Sequence, residues 1–208
     1  MSILLINAHP DPNSLLSATN QMVGHLLNKV SSDTIDTINL ADTDLQTLDK
    51  TVQDMFINTF FRKQQPTPAE AQIIEKMNTQ TTRLKAATRL VIALPMYNFG
   101  IPARLKDWID NIVIPGQTFQ YGADGSPQGL LTSHKALILT ASGGIYSEGA
   151  FAPYDFTIPY LQTVLGFLGI QHIYSVRAEG TSPDAVGVED AVQKACTEID
   201  AIWRDFSA

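Results

Sequence analysis

Three short stretches of this chain hold residue types whose spacing could support chemistry. The first holds His9, Ser14, Ser17, Thr19 and Asn20, directly after the apolar run Ile3 to Ile6 and the breaker-rich His9-Pro10-Asp11-Pro12-Asn13. Hydroxyls and free N–H groups at the entrance to a helix make an anion site, because unpaired donors and partial positive charge point outward together. No Walker lysine and no G-x-G-x-x-G follow the run, so neither a nucleoside triphosphatase nor a conventional dinucleotide site is supported. A hydroxyl-rich cup without lysine suits a monophosphate that is held rather than transferred. Ser14 or Ser17 would serve equally well as an ordinary helix cap.

The second stretch is Pro95-Met96-Tyr97-Asn98-Phe99-Gly100-Ile101-Pro102. Two prolines and a glycine restrain its backbone, and aromatics in such a loop are explained if they cover something flat; core packing beneath the loop would account for them but less well for Asn98. The third is Ala141-Ser142-Gly143-Gly144-Ile145-Tyr146, where two glycines allow close backbone approach or simply a turn. Ser142 lacks the G-x-S-x-G frame of a nucleophile elbow. Tyr146 could donate a proton or merely pack.

The remaining reactive types are sparse. Cys196, the sole cysteine, cannot form an intramolecular disulfide, and its place near the apolar face of the closing helix marks it as a small hydrophobe. His25, His134 and His172 show no metal-ligand spacing and read as surface or capping residues. Among 208 residues, 14 Lys and Arg against 21 Asp and Glu give a net charge of −7. That argues against a nucleic-acid binder or a docker on anionic membranes. With 44% hydrophobic and 17% charged residues the chain should fold around a sizeable core. No apolar run approaches the ~20 residues that cross a bilayer, and the start shows no basic leader pattern, so the expectation is a soluble, cytoplasmic protein.

The elements that must position these loops alternate. Ile3 to Ile6, Thr34 to Leu40, Leu90 to Leu94, Ala136 to Leu139 and Ile173 to Val176 read as strands, the second near an edge. Helical spacing runs from Leu15 to Val30, from the capping box at Thr67-Pro68-Ala69-Glu70 to about Ala87, and from Ile101 to Ile112. It returns from Ile158 to Leu168, closed by Gly169, and along Val192, Ile199, Trp203 and Phe206. Residues 41–66 have no clean period and read as a lid-like excursion with an exposed-looking cluster at Met55-Phe56-Ile57 and Phe60-Phe61. Residues 117–134 read as an inserted hairpin, with Phe119–Tyr121 and Leu130–Leu131 flanking a turn at Gly122–Pro127. The expectation is one α/β domain over residues 1–208, a doubly wound five-stranded parallel sheet in the flavodoxin-like order 2-1-3-4-5 with helices on both faces. Ligands on such a sheet sit at the carboxyl ends of the strands beside the switch point, which selects the loops after the first, third and fourth strands.

Those loops resemble the flavodoxin-like NADH-dependent azoreductases and, more broadly, the NAD(P)H quinone reductases with a His-Pro-x-x-x-Ser start. The resemblance is close from Leu94 to Gly149, through Pro-Met-Tyr-Asn-Phe, Thr-Phe-Gln-Tyr, Gly-Leu-Leu-Thr and Ser-Gly-Gly-Ile, and looser over the rest of the chain. It implies an FMN whose phosphate is held by Ser17, Thr19 and Asn20 with His9 adjoining. Met96, Tyr97, Asn98 and Phe99 would line one edge of the isoalloxazine, with Asn98 near N5, and Ala141, Ser142, Gly143 and Gly144 the other. It implies NADH or NADPH as hydride donor, a quinone or azo acceptor, and a homodimer in which Phe60, Phe61, Phe119 and Tyr121, with Tyr146, form the substrate pocket. The chain departs from the family's usual Ser-Arg-Gly-Gly-Ile-His in the third loop, which touches acceptor preference more than flavin binding. The alternative from another class is a flavodoxin-type electron carrier, which the acidic charge suits but the lid and hairpin do not. A receiver-type signalling domain lacks the acidic cluster after the first strand, where Asp11 stands alone.

Overall fold

The computed structural model describes residues 2–31 and 34–208. In chain order the strands are β1 (Ile3–Asn7), β2 (Ile35–Asn39), β3 (Arg89–Pro95), β4 (Phe119–Tyr121), β5 (Pro127–Gly129), β6 (Lys135–Ser142) and β7 (His172–Glu179). The helices are α1 (Ala18–Leu27), α2 (Lys50–Phe56), α3 (Pro68–Ala86), α4 (Ala103–Ile112), α5 (Ile158–Phe167) and α6 (Val188–Ser207). β1 and β3 are buried at every position, and strands of that kind are stable only when both faces are covered. They pair in a five-stranded parallel sheet of order β2-β1-β3-β6-β7, which is the expected 2-1-3-4-5 once the hairpin strands are set aside, with β2 at the edge. Leu4, Ile6, Leu90, Ile92, Ala136 and Ile138 face a core closed by Trp108 of α4 and Leu161 of α5. Ile3, Leu5, Val91, Leu137 and Leu139 face the other, closed by Met22 of α1 and Ile199 and Phe206 of α6. The capping box forms as expected, with the Glu70 carboxylate accepting from the Thr67 N–H at 2.7 Å.

Four sequence expectations change. The first helix begins at Ala18, not Leu15; Leu15 and Leu16 are each 87% exposed in the loop, because Ser17 caps the helix by accepting from the Asn20 N–H. The excursion 41–66 is helical over its middle: α2 continues into a π-helical turn over Ile57–Phe61, closed by the Arg62 N–H donating to the Ile57 carbonyl. A π turn shifts the buried face within a helix too short to show a period, which explains the irregular pattern. Met55 is fully buried against Val52, Met77 and Ile114, so the segment forms an outer layer on α3. In the hairpin, Pro127 opens the second strand rather than closing the turn, and Tyr121 pairs with Pro127. His134, expected at the surface, is buried, its Nε2 3.1 Å from the Leu84 carbonyl.

The hairpin lies at the amino-terminal edge of the sheet. The Leu131 N–H donates to the Leu168 carbonyl, and a Cβ on Gly129 would sit 2.1 Å from the Gly169 nitrogen, so the two backbones touch. Gly129→Ala is expected to cost about 1–3 kcal/mol through this overpacking, read as a fall in the urea midpoint; an unchanged midpoint would show that the contact yields freely. His134 gives a second test. Burial, with the nearby Arg89 charge, pushes its pKa below 6.5, so the unfolded chain binds more protons than the fold as the pH drops through that value. Stability is fully present above the unfolded value and declines below it. Urea midpoints measured from about pH 8 to about pH 5 should fall, and less so in His134→Gln, where the amide can keep the Leu84 bond; equal slopes would exclude His134 as the cause.

Candidate functional site

The register brings the carboxyl ends of β1, β3 and β6 together: Asn7 pairs with Ala93, and Pro95 with Ala141. The three loops singled out in the sequence leave from this edge.

After β1, the chain is held by a residue that the sequence reading missed. Asn7 Oδ1 accepts from the His9 N–H at 3.0 Å, and its Nδ2 donates to Asn20 Oδ1 at 3.1 Å. Asn20 Nδ2 donates to the carbonyls of Asp11 and Ser14 at 2.9 and 3.0 Å. Both amide hydrogens of Asn20 are thereby engaged, and its side chain shapes the loop. His9 Nδ1 sits against the main chain of Asp11, and Thr19 is buried. The N-terminal turn of α1 leaves the N–H groups of Ala18 and Thr19 without intrahelical acceptors, beside the Ser17 hydroxyl, and these are the donors that could hold an anionic group.

After β3, Tyr97 and Gly100 exchange N–H···O bonds of 3.0 Å in both directions, while Asn98 and Phe99 have φ of +48° and +69°. Two successive left-handed residues make this a tight turn of type I′, a conformation that asparagine tolerates and phenylalanine rarely adopts. The Phe99 carbonyl accepts from the Phe156 N–H at 3.0 Å, which helps to hold the strained residue. After β6, the Ser142 hydroxyl donates to the Gly144 carbonyl at 2.8 Å, and the carbonyls of Ser142, Gly143 and Gly144 accept from the N–H groups of Thr181, Ser182 and Gly180. A Cβ on Gly143 would lie 2.8 Å from Ser182 Oγ, so any side chain there would have to turn the exposed Ser182 hydroxyl aside.

Met96, Asn98, Phe99, Ser142, Gly143 and Tyr146 line one cleft of about 260 Å³. None of the six is charged. Phe99 meets Tyr146 edge-on at 6.2 Å between ring centres and Tyr154 at 5.6 Å; Tyr146 and Tyr154 each lie 6.3 Å from Phe151. The clustering of Tyr146, Phe151, Tyr154 and Phe156 was visible in the sequence as aromatic spacing ahead of α5. Among the described residues the N–H groups of Asn98, Phe99, Gly143 and Gly144 have no acceptor. An uncharged cleft with aromatic walls and free main-chain donors suits a flat, uncharged heterocycle with polar edges. Ala141 and Tyr97 do not line the cleft: Ala141 is buried, its carbonyl accepting from the Met96 N–H at 2.8 Å, and Tyr97 is half-exposed. Phe60, Phe61, Phe119 and Tyr121 are not brought to it: Phe60 packs on α3, Phe61 is 74% exposed, and Phe119, 5% exposed, stacks on Phe167 at 4.7 Å at the opposite edge of the sheet.

Asp155 is buried and its Oδ1 accepts from the N–H and hydroxyl of Thr157, the residue before α5, while Arg177 Nη2 donates to its other oxygen at 2.6 Å. Burial pushes the Asp155 pKa up, but the Thr157 and Arg177 hydrogen bonds together hold it below the usual carboxylate value. Among the described residues no group of His, Cys, Asp and Glu could hold a metal ion, and no helix is long and apolar enough to cross a membrane.

Known proteins share this arrangement. Residues 1–202 match the family model described as the flavodoxin-like fold. An FMN-dependent NADH:quinone oxidoreductase from Mesorhizobium japonicum is 34% identical over 203 residues, 97% of this chain and 95% of that protein. Another from Herminiimonas arsenicoxydans is 43% identical over 143 residues, 69% of this chain and 70% of that one. The crystal structure of an FMN-dependent NADH-azoreductase from Bacillus anthracis in complex with FMN covers 100% of both chains at 32% identity, with a TM-score of 0.90. By its match to that family model and its identity along nearly the whole chain, the protein belongs to the flavodoxin-like family of FMN-dependent NADH:quinone oxidoreductases.

Proposed function

We propose that this protein is an FMN-dependent oxidoreductase that takes a hydride from NADH, or NADPH, and delivers it to a quinone or an azo compound in the same cleft by turns. The observation that carries this reading is the uncharged cleft between the strained Asn98-Phe99 turn and Gly143-Tyr146, with four free main-chain donors at its rim and a helix N-terminus beside the neighbouring strand. A flavin fits that donor set: an aromatic wall for its rings, N–H groups for its polar edge, and α1 for its phosphate. When bound, FMN would supply the redox chemistry, with N5 as the hydride acceptor and donor.

The chain's own residues bind, orient and exclude water. The Ser17 hydroxyl and the N–H groups of Ala18 and Thr19 hold the phosphate, with His9 bracing the loop through Asp11. Met96, Asn98 and Phe99 border one side of the rings, with Ser142, Gly143 and Gly144 bordering the other, and the Asn98 amide lies near N5. Tyr146 supplies a hydroxyl from which a proton can pass to the reduced acceptor, so that a hydride and a proton together convert quinone to hydroquinone. Phe99, Phe151, Tyr154 and Phe156 leave an exposed aromatic patch around the cleft, of the kind that marks an association surface. A homodimer would cover it. In that arrangement Phe61 and Tyr121, which lie away from their own cleft, would reach the partner's, whereas Phe119 would act by supporting Tyr121, 5.5 Å away.

Anaerobic addition of NADH, then NADPH, to the FMN-loaded protein should bleach the flavin in one two-electron step, and a quinone should restore it. A stable one-electron form with no direct reduction by either nucleotide would favour the electron-carrier reading and sink this one. Asn98→Gly keeps the left-handed turn without the side chain and Asn98→Leu strains both; flavin retention should fall in the order wild type, Gly, Leu, and equal retention in all three would remove Asn98 from the site. Because the cleft lining carries no charge, neutral quinones should give a lower KM than sulfonated azo dyes. The opposite order would require a cation from elsewhere.

A further inference from the structure

Tyr146, one wall of the cleft, hangs on a single side chain. Its N–H donates to Glu179 Oε1 at 2.7 Å, and behind the loop lies a cavity of about 230 Å³ lined by Ile145, Ser147, Glu148, Arg177, Glu179 and Lys194. On the cavity side packing does not fix this part of the loop, while on the other side the Tyr146 ring rests on Phe99 and Phe151. The bonds from Gly180, Thr181 and Ser182 end at Gly144, and beyond that point the loop is tied to β7 by the Tyr146–Glu179 bond.

Glu179 is itself held. Arg177, two residues earlier on the same face of β7, places Nη1 3.5 Å from Glu179 Oε1, an ion pair without hydrogen-bond alignment, and Nη2 2.6 Å from Asp155 Oδ2. The side chains of Asp155 and Glu179 are 5% and 12% exposed, so both carboxylates depend on protein partners for most of their solvation. Asp155 precedes Phe156, whose N–H holds the carbonyl of the strained Phe99. One guanidinium thus stands between the supports of both aromatic walls, Phe156 behind Phe99 and Glu179 behind Tyr146. An arginine is suited to this because its planar fork reaches two acceptors in fixed directions.

We infer that Arg177 is a positioning residue that keeps Tyr146 in edge contact with Phe99 and thereby favours wide, flat acceptors that cover both rings over narrow ones. The inference rests on the reading of this cleft as the acceptor site. Removing the guanidinium takes the shared cation from Asp155 and Glu179, releases Glu179 from its place and lets the loop at Tyr146 shift toward the cavity that its neighbours Ile145 and Ser147 line. A bicyclic quinone that spans both walls loses contact area, while a monocyclic one loses less.

The test uses the FMN-loaded protein and Arg177→Met, which keeps the apolar stem. Relative to wild type, KM for 1,4-naphthoquinone should rise about tenfold or more, against a smaller rise for 1,4-benzoquinone, with kcat little changed. Equal losses of kcat for both quinones at unchanged KM would indicate general destabilisation and overturn the inference. Amide hydrogen exchange gives a readout that needs no turnover: exchange at the Tyr146 N–H should accelerate in Arg177→Met while exchange in β1 and β3 stays slow. Unchanged exchange at Tyr146 overturns the inference even in an active enzyme, whereas faster exchange in a protein that no nucleotide reduces would leave the positioning role standing and remove the proposed function. Should Arg177→Met fail to fold, Arg177→Lys keeps a charge but not the fork, and the same two measurements should move in the same direction by less.

Discussion

Everything at the candidate site depends on strands buried on both faces. β1, β3 and most of β6 present apolar side chains up and down, so helices must cover both sides, and parallel pairing comes from the crossovers that do so. Parallel pairing in turn sends every strand's carboxyl end to one edge. Asn7, Pro95, Ser142 and Glu179 finish there within a shared register, and the loops leaving them have no choice but to meet. The switch point beside β1, where connections leave in opposite directions, keeps that edge open between them.

At such an edge, main-chain polar groups decide what can bind. Most are spent: Asn7 and Asn20 tie down the first loop, Ala141 holds Met96, and the β7–α6 connection holds the carbonyls of residues 142–144. The groups left over are N–H donors at the start of α1 and around the cleft. Leaving them free goes together with local strain, since two successive left-handed residues at Asn98 and Phe99 cost on the order of 1–3 kcal/mol each. The paired bonds of Tyr97 and Gly100, the Phe156 N–H and the aromatic contacts of Phe99 offset it. Strain concentrated where donors converge is consistent with a backbone shaped for a ligand rather than for its own stability.

Much of this is legible in the sequence because the signals are local. Continuous apolar runs mark buried strands, the Thr67–Glu70 box marks the start of α3, and Gly169, at φ +100°, ends the helix where the spacing places it. The departures share a cause. Leu15 and Leu16 continue a helical spacing yet lie outside the helix, since periodicity does not register which residue's oxygen caps the first turn. The stretch 50–61 loses its period to a π turn, whose extra residue per turn moves the buried face. His134 resembles a surface histidine because nothing near it in sequence reveals the Leu84 carbonyl that buries with it.

By itself the sequence determined the alternation of elements and the aromatic and glycine content of the three loops, because each is encoded in neighbours a few residues apart, and the sheet order followed from that alternation through the topology of a doubly wound fold. Tertiary structure alone decided which of those residues share a cavity and which are occupied elsewhere. Asn20 is spent on Asp11 and Ser14, Phe119 is stacked at the far edge, and Arg177 lies between Asp155 and Glu179. Hydrogen bonds saturate: an amide with two donors gives them to whichever acceptors the fold brings nearest, and that proximity belongs to residues far apart in the chain.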